Sequence, residues 1–243
     1  ETMNEELRVQ EIQLSNGPVL VFGGVYSNLP ALEKMMGIAA QLHIPSGNII
    51  CTGDIVGYCA EPESCVQRIR EWGIHSIAGN VEIQLRNREE DCGCNFDEGS
   101  RCDTFSRKWY PYAQSQLSED SIQWMLSLPH HLRFQYGKKR GYVLHGSFFN
   151  PSEFVFRSTP WDQKRGNFEA AKADIVLAGH CGLPFHHEQD GLLWLNAGVI
   201  GMPANDGTTR VWYAVLDMQE HEVAYRHPSY GYDHESAARG MEQ

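Results

Sequence analysis

The first eighty residues constrain this chain most. Pro18-Val19-Leu20-Val21-Phe22 is a short apolar run that stops at Gly23-Gly24. Asn48-Ile49-Ile50-Cys51 stops at Thr52-Gly53-Asp54, and Ile74-His75-Ser76-Ile77-Ala78 stops at Gly79-Asn80. Four- and five-residue apolar runs closed by glycine read as buried strands. Between them lie two helical patterns. In the first, Asn28 is a candidate cap, Pro30 sits in the first turn, and Leu29, Leu32, Met35, Met36 and Ala39 repeat at helical spacing. The second opens at Pro62, runs through Trp72 and meets a stop at Gly73. The order β-α-β-α-β, with a glycine and a polar residue at each strand end, predicts a sheet whose strand ends gather loops into one site.

The remaining chain extends the pattern. Residues 82–128 read as helical or irregular, with a Cys/Gly/Asp-rich stretch at 91–103 and a helix near 118–128 opened by Ser118. This segment is expected to be an insertion that roofs the site. Strands are expected at 132–136, 141–145, 174–178, 192–195, 210–217 and 221–226, with a helix near 160–172. Residues 1–16 read as a leader or an edge element, and 227–243 as a loose tail. One domain over residues 1–243 with two packed sheets is the economical reading.

Composition bounds the function. In 243 residues, 20 Lys and Arg face 31 Asp and Glu, a formal charge of −11. That balance excludes a general nucleic-acid binder, which needs a basic footprint, and disfavours anionic membrane surfaces. No apolar run is long enough to span a bilayer. Seven cysteines cannot all pair internally, and reduced or metal-bound thiols are the expected state. With no basic and apolar leader in view, the expected location is cytoplasmic. An oligomer is allowed.

Five strand ends deliver a polar cluster: Gly53-Asp54, Gly79-Asn80, His145-Gly146, Gly179-His180 and Asn196-Ala197-Gly198. One carboxylate, one amide oxygen and two imidazoles suit a divalent metal such as Mn, Fe or Zn. Taken singly, each residue is more often a hydrogen-bonded core or turn group than a ligand. Five in one chain point to a site.

Those residues in that order, with Gly53-Asp54-Ile55-Val56-Gly57-Tyr58 and Asn196-Ala197-Gly198-Val199-Ile200-Gly201-Met202-Pro203, resemble the calcineurin-like metallophosphoesterases. The resemblance is strongest to their small bacterial branch of phosphodiesterases and diadenosine-tetraphosphatase-like proteins, and it covers roughly residues 18–217. It implies a four-layer α-β-β-α sandwich of two mixed sheets with flanking helices. It also implies a metal-dependent hydrolase of a small phosphorylated substrate, with two metals sharing a bridging Asp and activating hydroxide for in-line attack. Carried over by residue, one metal position is complete: Asp54, Asn80, His145 and His180, with Asp54, Asn80 and His145 in catalytic roles. The other is nearly empty. The family's first motif, Gly-Asp-x-His, reads Gly23-Gly24-Val25-Tyr26. Its Gly-His-x-His reads Gly179-His180-Cys181-Gly182, and its leaving-group His is Val81. One or two metals per chain remain open.

Tyr26, Cys92, Cys94, Cys102 and Cys181 are candidate replacement ligands, since they fall in or near the loops that lost ligands. The spacing C-x-C-x₇-C matches no strong zinc template. Cys51, Cys59 and Cys65 are expected in packing. One of His186 and His187 faces inward as a minor candidate. Two alternatives to a remodelled hydrolase stand beside it: a pseudo-phosphatase that binds a ligand or partner, and other chemistry at a Cys-containing iron or zinc site.

Overall fold

The structure, a computed structural model, describes residues 6–94 and 96–242. Two mixed sheets form its centre. The first has strands β2 (Val19–Phe22), β3 (Ile49–Cys51) and β4 (His75–Ser76) in parallel, with β11 (Ala214–Gln219) antiparallel to β2 and β12 (Glu222–Arg226) at the edge. The second has β6 (Lys139–Val143), β7 (Ile175–Ala178) and β9 (Leu192–Ala197) in parallel. Antiparallel β5 (His131–Tyr136) and β8 (Pro184–Gln189) flank them, and β1 (Val9–Glu11) closes one edge against β5.

Successive strand side chains point to opposite faces, and that alternation builds the layers. Val19 and Val21, Ile50, Ile175 and Leu177 meet between the sheets. Leu20, Phe22, Ile49 and Cys51 face the other way, against Leu32 and Met35 of α1 (Leu29–Gln41) and Val66 and Ile69 of α2 (Pro62–Trp72). Val176, Ala178 and Trp194 pack against Trp161 and Phe168 of α6 (Trp161–Ala171). The central strands β2, β3 and β7 are therefore buried on both faces and read as unbroken apolar runs. The result is the expected four-layer α-β-β-α sandwich.

The local signals act as expected. Asn28 caps α1 by accepting from the Ala31 N–H, and Gly73 ends α2 in the left-handed region. Residues 82–128 carry α3 (Asn80–Arg86), α4 (Arg101–Gln116) and α5 (Glu119–Ser127), the last capped by Ser118.

Two expectations are corrected. The 210–217 strand is divided: β10 (Val211–Trp212) leaves the sheet to pair with β13 (Ser229–Tyr230), and β11 begins at Ala214. The stretch 227–243 is not loose, because β13 and α7 (His234–Glu242) are built from it. The Tyr230 hydroxyl donates to the Ala31 carbonyl, and Asn28 Nδ2 donates to the Tyr232 hydroxyl, so buried polar contacts hold this end to α1. Polar composition hid an element whose few anchoring groups are aromatic. Among the described residues, no helix is long and apolar enough to cross a membrane.

Candidate metal centre

Asp54, His145 and His180 follow the carboxyl ends of β3, β6 and β7, and Asn80 is the first residue of α3 after β4. Strands that run parallel within their sheets place these loops on one edge of the sandwich. The donor atoms of Asp54, His145 and His180 lie within 4.8 Å of one another. Among the described residues this is the only such cluster of three or more His, Cys, Asp or Glu donors. Asn80 completes it: its Oδ1 lies 3.0 Å from His145 Nε2 and 3.0 Å from His180 Nδ1, and His145 Nε2 lies 3.2 Å from Asp54 Oδ2. All four side chains are buried.

Each donor is aimed by a second contact. His145 Nδ1 lies 2.7 Å from the Thr52 carbonyl, so that nitrogen donates to it and Nε2 is turned toward the cluster. Asn80 Nδ2 donates to the Cys92 carbonyl at 2.9 Å, which turns Oδ1 inward. Asn196 donates to the Gly179 carbonyl and to Cys181 Sγ, fixing the loop that carries His180. Asp54 and His180 both adopt φ near +60°, a costly conformation for residues with side chains and one found at functional sites.

Beneath Asp54 lies a second carboxylate. Glu82 is fully buried and accepts from the backbone N–H groups of Asp54, Val56 and Gly79 at 2.8, 3.0 and 2.9 Å. Gly79 is required there, because a Cβ would collide with Asp54 Oδ1. Burial and the charge of Asp54 push Glu82 up to about 7, against the pull of its N–H donors. Burial works against ionised Asp54 too, yet the neighbouring His145 and His180 outweigh it and hold its carboxyl below the usual range. Burial and His145 bring His180 down to about 4, leaving a neutral ring.

This donor set fits a divalent ion. Donors at about 2.1 Å from a metal and at right angles to one another stand about 3.0 Å apart, matching the contacts above. His180 Nε2 is buried without a hydrogen-bond partner among the described residues.

The replacement ligands are not gathered, and that expectation is corrected. Cys92 and Cys94 are joined in a disulfide, not held as thiolates; Gly93 between them, at φ +62°, permits the tight turn. Cys102 is exposed on α4. Burial pushes the Cys181 thiol up to about 11, so it stays protonated. Tyr26 does border the cluster, but burial first and Asp54 second raise its phenol well above the ordinary value, disfavouring phenolate. Its ring instead packs edge-on against Tyr58 at 5.0 Å. The space beside Gly24 is taken: a Cβ there would strike Val199 and the Tyr26 ring. Packing thus leaves no room for a side chain at 24. Cys51, Cys59 and Cys65 are buried, as expected. His186 stacks with His227 and His187 meets Trp161 and Lys164, so neither joins the site.

The cavity over the donors measures about 30 Å³, and its walls include Cys94, Phe96, Trp109 and Phe154. Phe154 lies with its ring centroid 4.3 Å from that of His180. Cys94, Phe96 and Trp109 of the 82–128 stretch line this cavity, joined by Phe154 from a loop that sequence reasoning missed. Phe154 carries no sequence signal. Glu82 does: a glutamate at the third helical position can reach back to the N-cap N–H, and here it accepts from Gly79 at the start of α3.

Residues 21–221 match the calcineurin-like phosphoesterase superfamily domain. The chain belongs to that family. It is 23% identical over 220 residues to an uncharacterized protein of Methanocaldococcus jannaschii, with 84% of each chain covered. It is 25% identical to a metallophosphoesterase from Sphaerobacter thermophilus, covering 94% of each chain with a TM-score of 0.71. A protein of Pyrococcus horikoshii shares the fold at a TM-score of 0.75, with 18% identity over 93% of this chain and 92% of that one. Members of this calcineurin-like family are metal-dependent phosphoesterases, and the fold and family expectations hold.

Proposed function

We propose that the chain is a metal-dependent hydrolase of a small phosphorylated molecule, working through one divalent ion held by Asp54, Asn80, His145 and His180. The convergence of these four buried donors on one point carries the reading, with His145 locked by the Thr52 carbonyl. A bound divalent ion supplies Lewis-acid charge for the phosphoryl oxygens. The residues do the rest. Glu82 fixes the Asp54 backbone, Asn80 holds both rings in register, and Phe96, Trp109 and Phe154 confine the space over the donors. At position 81, where the family carries an imidazole, the aliphatic Val81 borders the cavity. No side chain there donates a proton to the departing alcohol, so esters with acidic leaving groups, such as aryl esters, are favoured.

Metal content of the purified chain, beside hydrolysis of p-nitrophenyl phosphate, tests this. We expect about one Mn, Fe or Zn per chain, as four converging donors imply, lost together with turnover in Asp54→Ala. Native chain without metal after supplementation refutes the reading. A second reading, a non-catalytic binding module, is favoured by the small cavity over the donors, about 30 Å³. Stoichiometric metal with no turnover of any phosphoester supports it instead.

A further inference from the structure

A cavity of about 30 Å³ has no room for the organic part of a phosphoester. Two larger clefts share a wall with it. One, about 710 Å³, borders Cys94 and Phe96 and is lined by Glu90, Asp91 and Asp103 against one cation, Arg107, which is itself paired with Asp103. Such a cleft repels a phosphate ester. The other, about 510 Å³, contains Arg101 and no carboxylate. Its walls include Tyr58, Phe105, Met202, Pro203 and Met241. Tyr58 borders both this groove and the donor cavity, and its ring packs against Tyr26 at 5.0 Å and Trp109 at 5.2 Å. Phe105, Met202 and Met241 are 51, 39 and 45% exposed, so three large apolar side chains face water together. Gathered exposed apolar surface of this kind marks a binding site.

We propose that this groove is the subsite for the organic half of the phosphoester, and that this half is planar and apolar, an aryl group or nucleobase. The proposal rests on the reading of the donor cluster as a hydrolytic centre. Tyr58 is the wall shared by the donor cavity and the groove, so a substituent leaving the donors on that side enters the groove rather than the acidic cleft. Arg101 gives the groove a positive charge, while the Tyr58 and Phe105 rings offer faces and edges to a flat ring. Met202-Pro203, at the end of the motif that begins at Asn196, form one wall.

The test uses the Mn-loaded full chain with phenylphosphonate, which cannot be hydrolysed. Cys102 lines the groove and is exposed, whereas Cys51, Cys65 and the groove's other thiol, Cys59, are buried and the half-buried Cys181 lies outside the groove, so alkylation is followed at Cys102 itself by peptide mass spectrometry. Saturating phenylphosphonate is expected to slow alkylation of Cys102 by about tenfold. It is also expected to bind Met202→Glu and Arg101→Glu at least about tenfold more weakly, a difference of about one decade in affinity. The kcat/KM ratio of phenyl phosphate to glycerol phosphate should fall about tenfold in Met202→Glu and in Phe105→Ala, mostly through KM. Protection of Cys102 without turnover of any ester supports the groove and overturns only the hydrolase reading. Turnover with an unchanged aryl-to-alkyl ratio in both variants overturns the groove alone. Unprotected Cys102, or equal phenylphosphonate binding by native chain and both charge variants, also overturns it. Thermal melts of each variant confirm that it is folded.

Discussion

Asp54 supplies the only carboxylate of the donor cluster, and its backbone N–H is held by Glu82, a carboxylate outside the cluster. A single buried acceptor satisfying three backbone donors is hard to replace. Removing it strands the N–H groups of Asp54, Val56 and Gly79, at about 1–3 kcal/mol for each one left unpaired. Glu82→Ala should lower the unfolding free energy by about 3 kcal/mol or more, measured by urea denaturation. Glu82→Gln, which keeps one acceptor oxygen, should lose less. The same change should weaken metal binding by roughly 10–100-fold, as losses in the supporting shell do. A native-like midpoint in Glu82→Ala would remove the supporting role assigned here. At this scale the sequence displayed the four donors clearly, since each sits beside a glycine at a strand end. It could not display that Tyr26 and Val199 fill the space beside Gly24. That depends on residues 173 or more positions apart meeting across the loop edge.

At the scale of elements, the turn Cys92–Cys94 ties two parts of the roof together. Its Cys92 carbonyl accepts from Asn80 on α3, and its Gly93 carbonyl accepts from the Ser152 hydroxyl. The disulfide restricts that turn. Reducing it with dithiothreitol should speed amide exchange at Cys92–Cys94 and at Ser152–Phe154 while leaving β2, β3 and β7 protected. Identical exchange before and after reduction would mean that packing alone holds the roof. The individual strands and helices were legible because their signals are local: alternation, caps and terminal glycines. The pairing of Cys92 with Cys94 and the arrival of Phe154 over His180 were not, since both depend on where separate loops meet.

At the scale of the molecule, acid should weaken the fold through histidines buried as neutral rings. Burial first and His130 second hold His131 down to about 4, and its Nδ1 lies 2.9 Å from the Tyr142 hydroxyl. In the unfolded chain the same ring takes a proton near pH 6.5. The unfolded state therefore binds the extra proton first, so stability is lost as pH falls from about 6.5 to about 4. For His131 alone the loss is on the order of 3 kcal/mol. The melting temperature should drop less between pH 7.5 and 4.5 in His131→Gln than in the native chain. An equal drop would assign the acid sensitivity elsewhere, His180 and His227 also being brought down to about 4. By itself, the sequence determined the β-α-β-α-β order of the first eighty residues, the two-sheet layering and the four residues proposed as donors. These follow from short-range rules, because side-chain alternation and glycine at a strand end act within a few residues. Only the tertiary structure decided that the space beside Gly24 is packed with Tyr26 and Val199, that the cysteines do not form a cluster, and that an acid-free apolar groove opens beside Tyr58. Those outcomes turn on which distant side chains occupy the same few ångströms, and close packing fixes that only when the whole chain is in place.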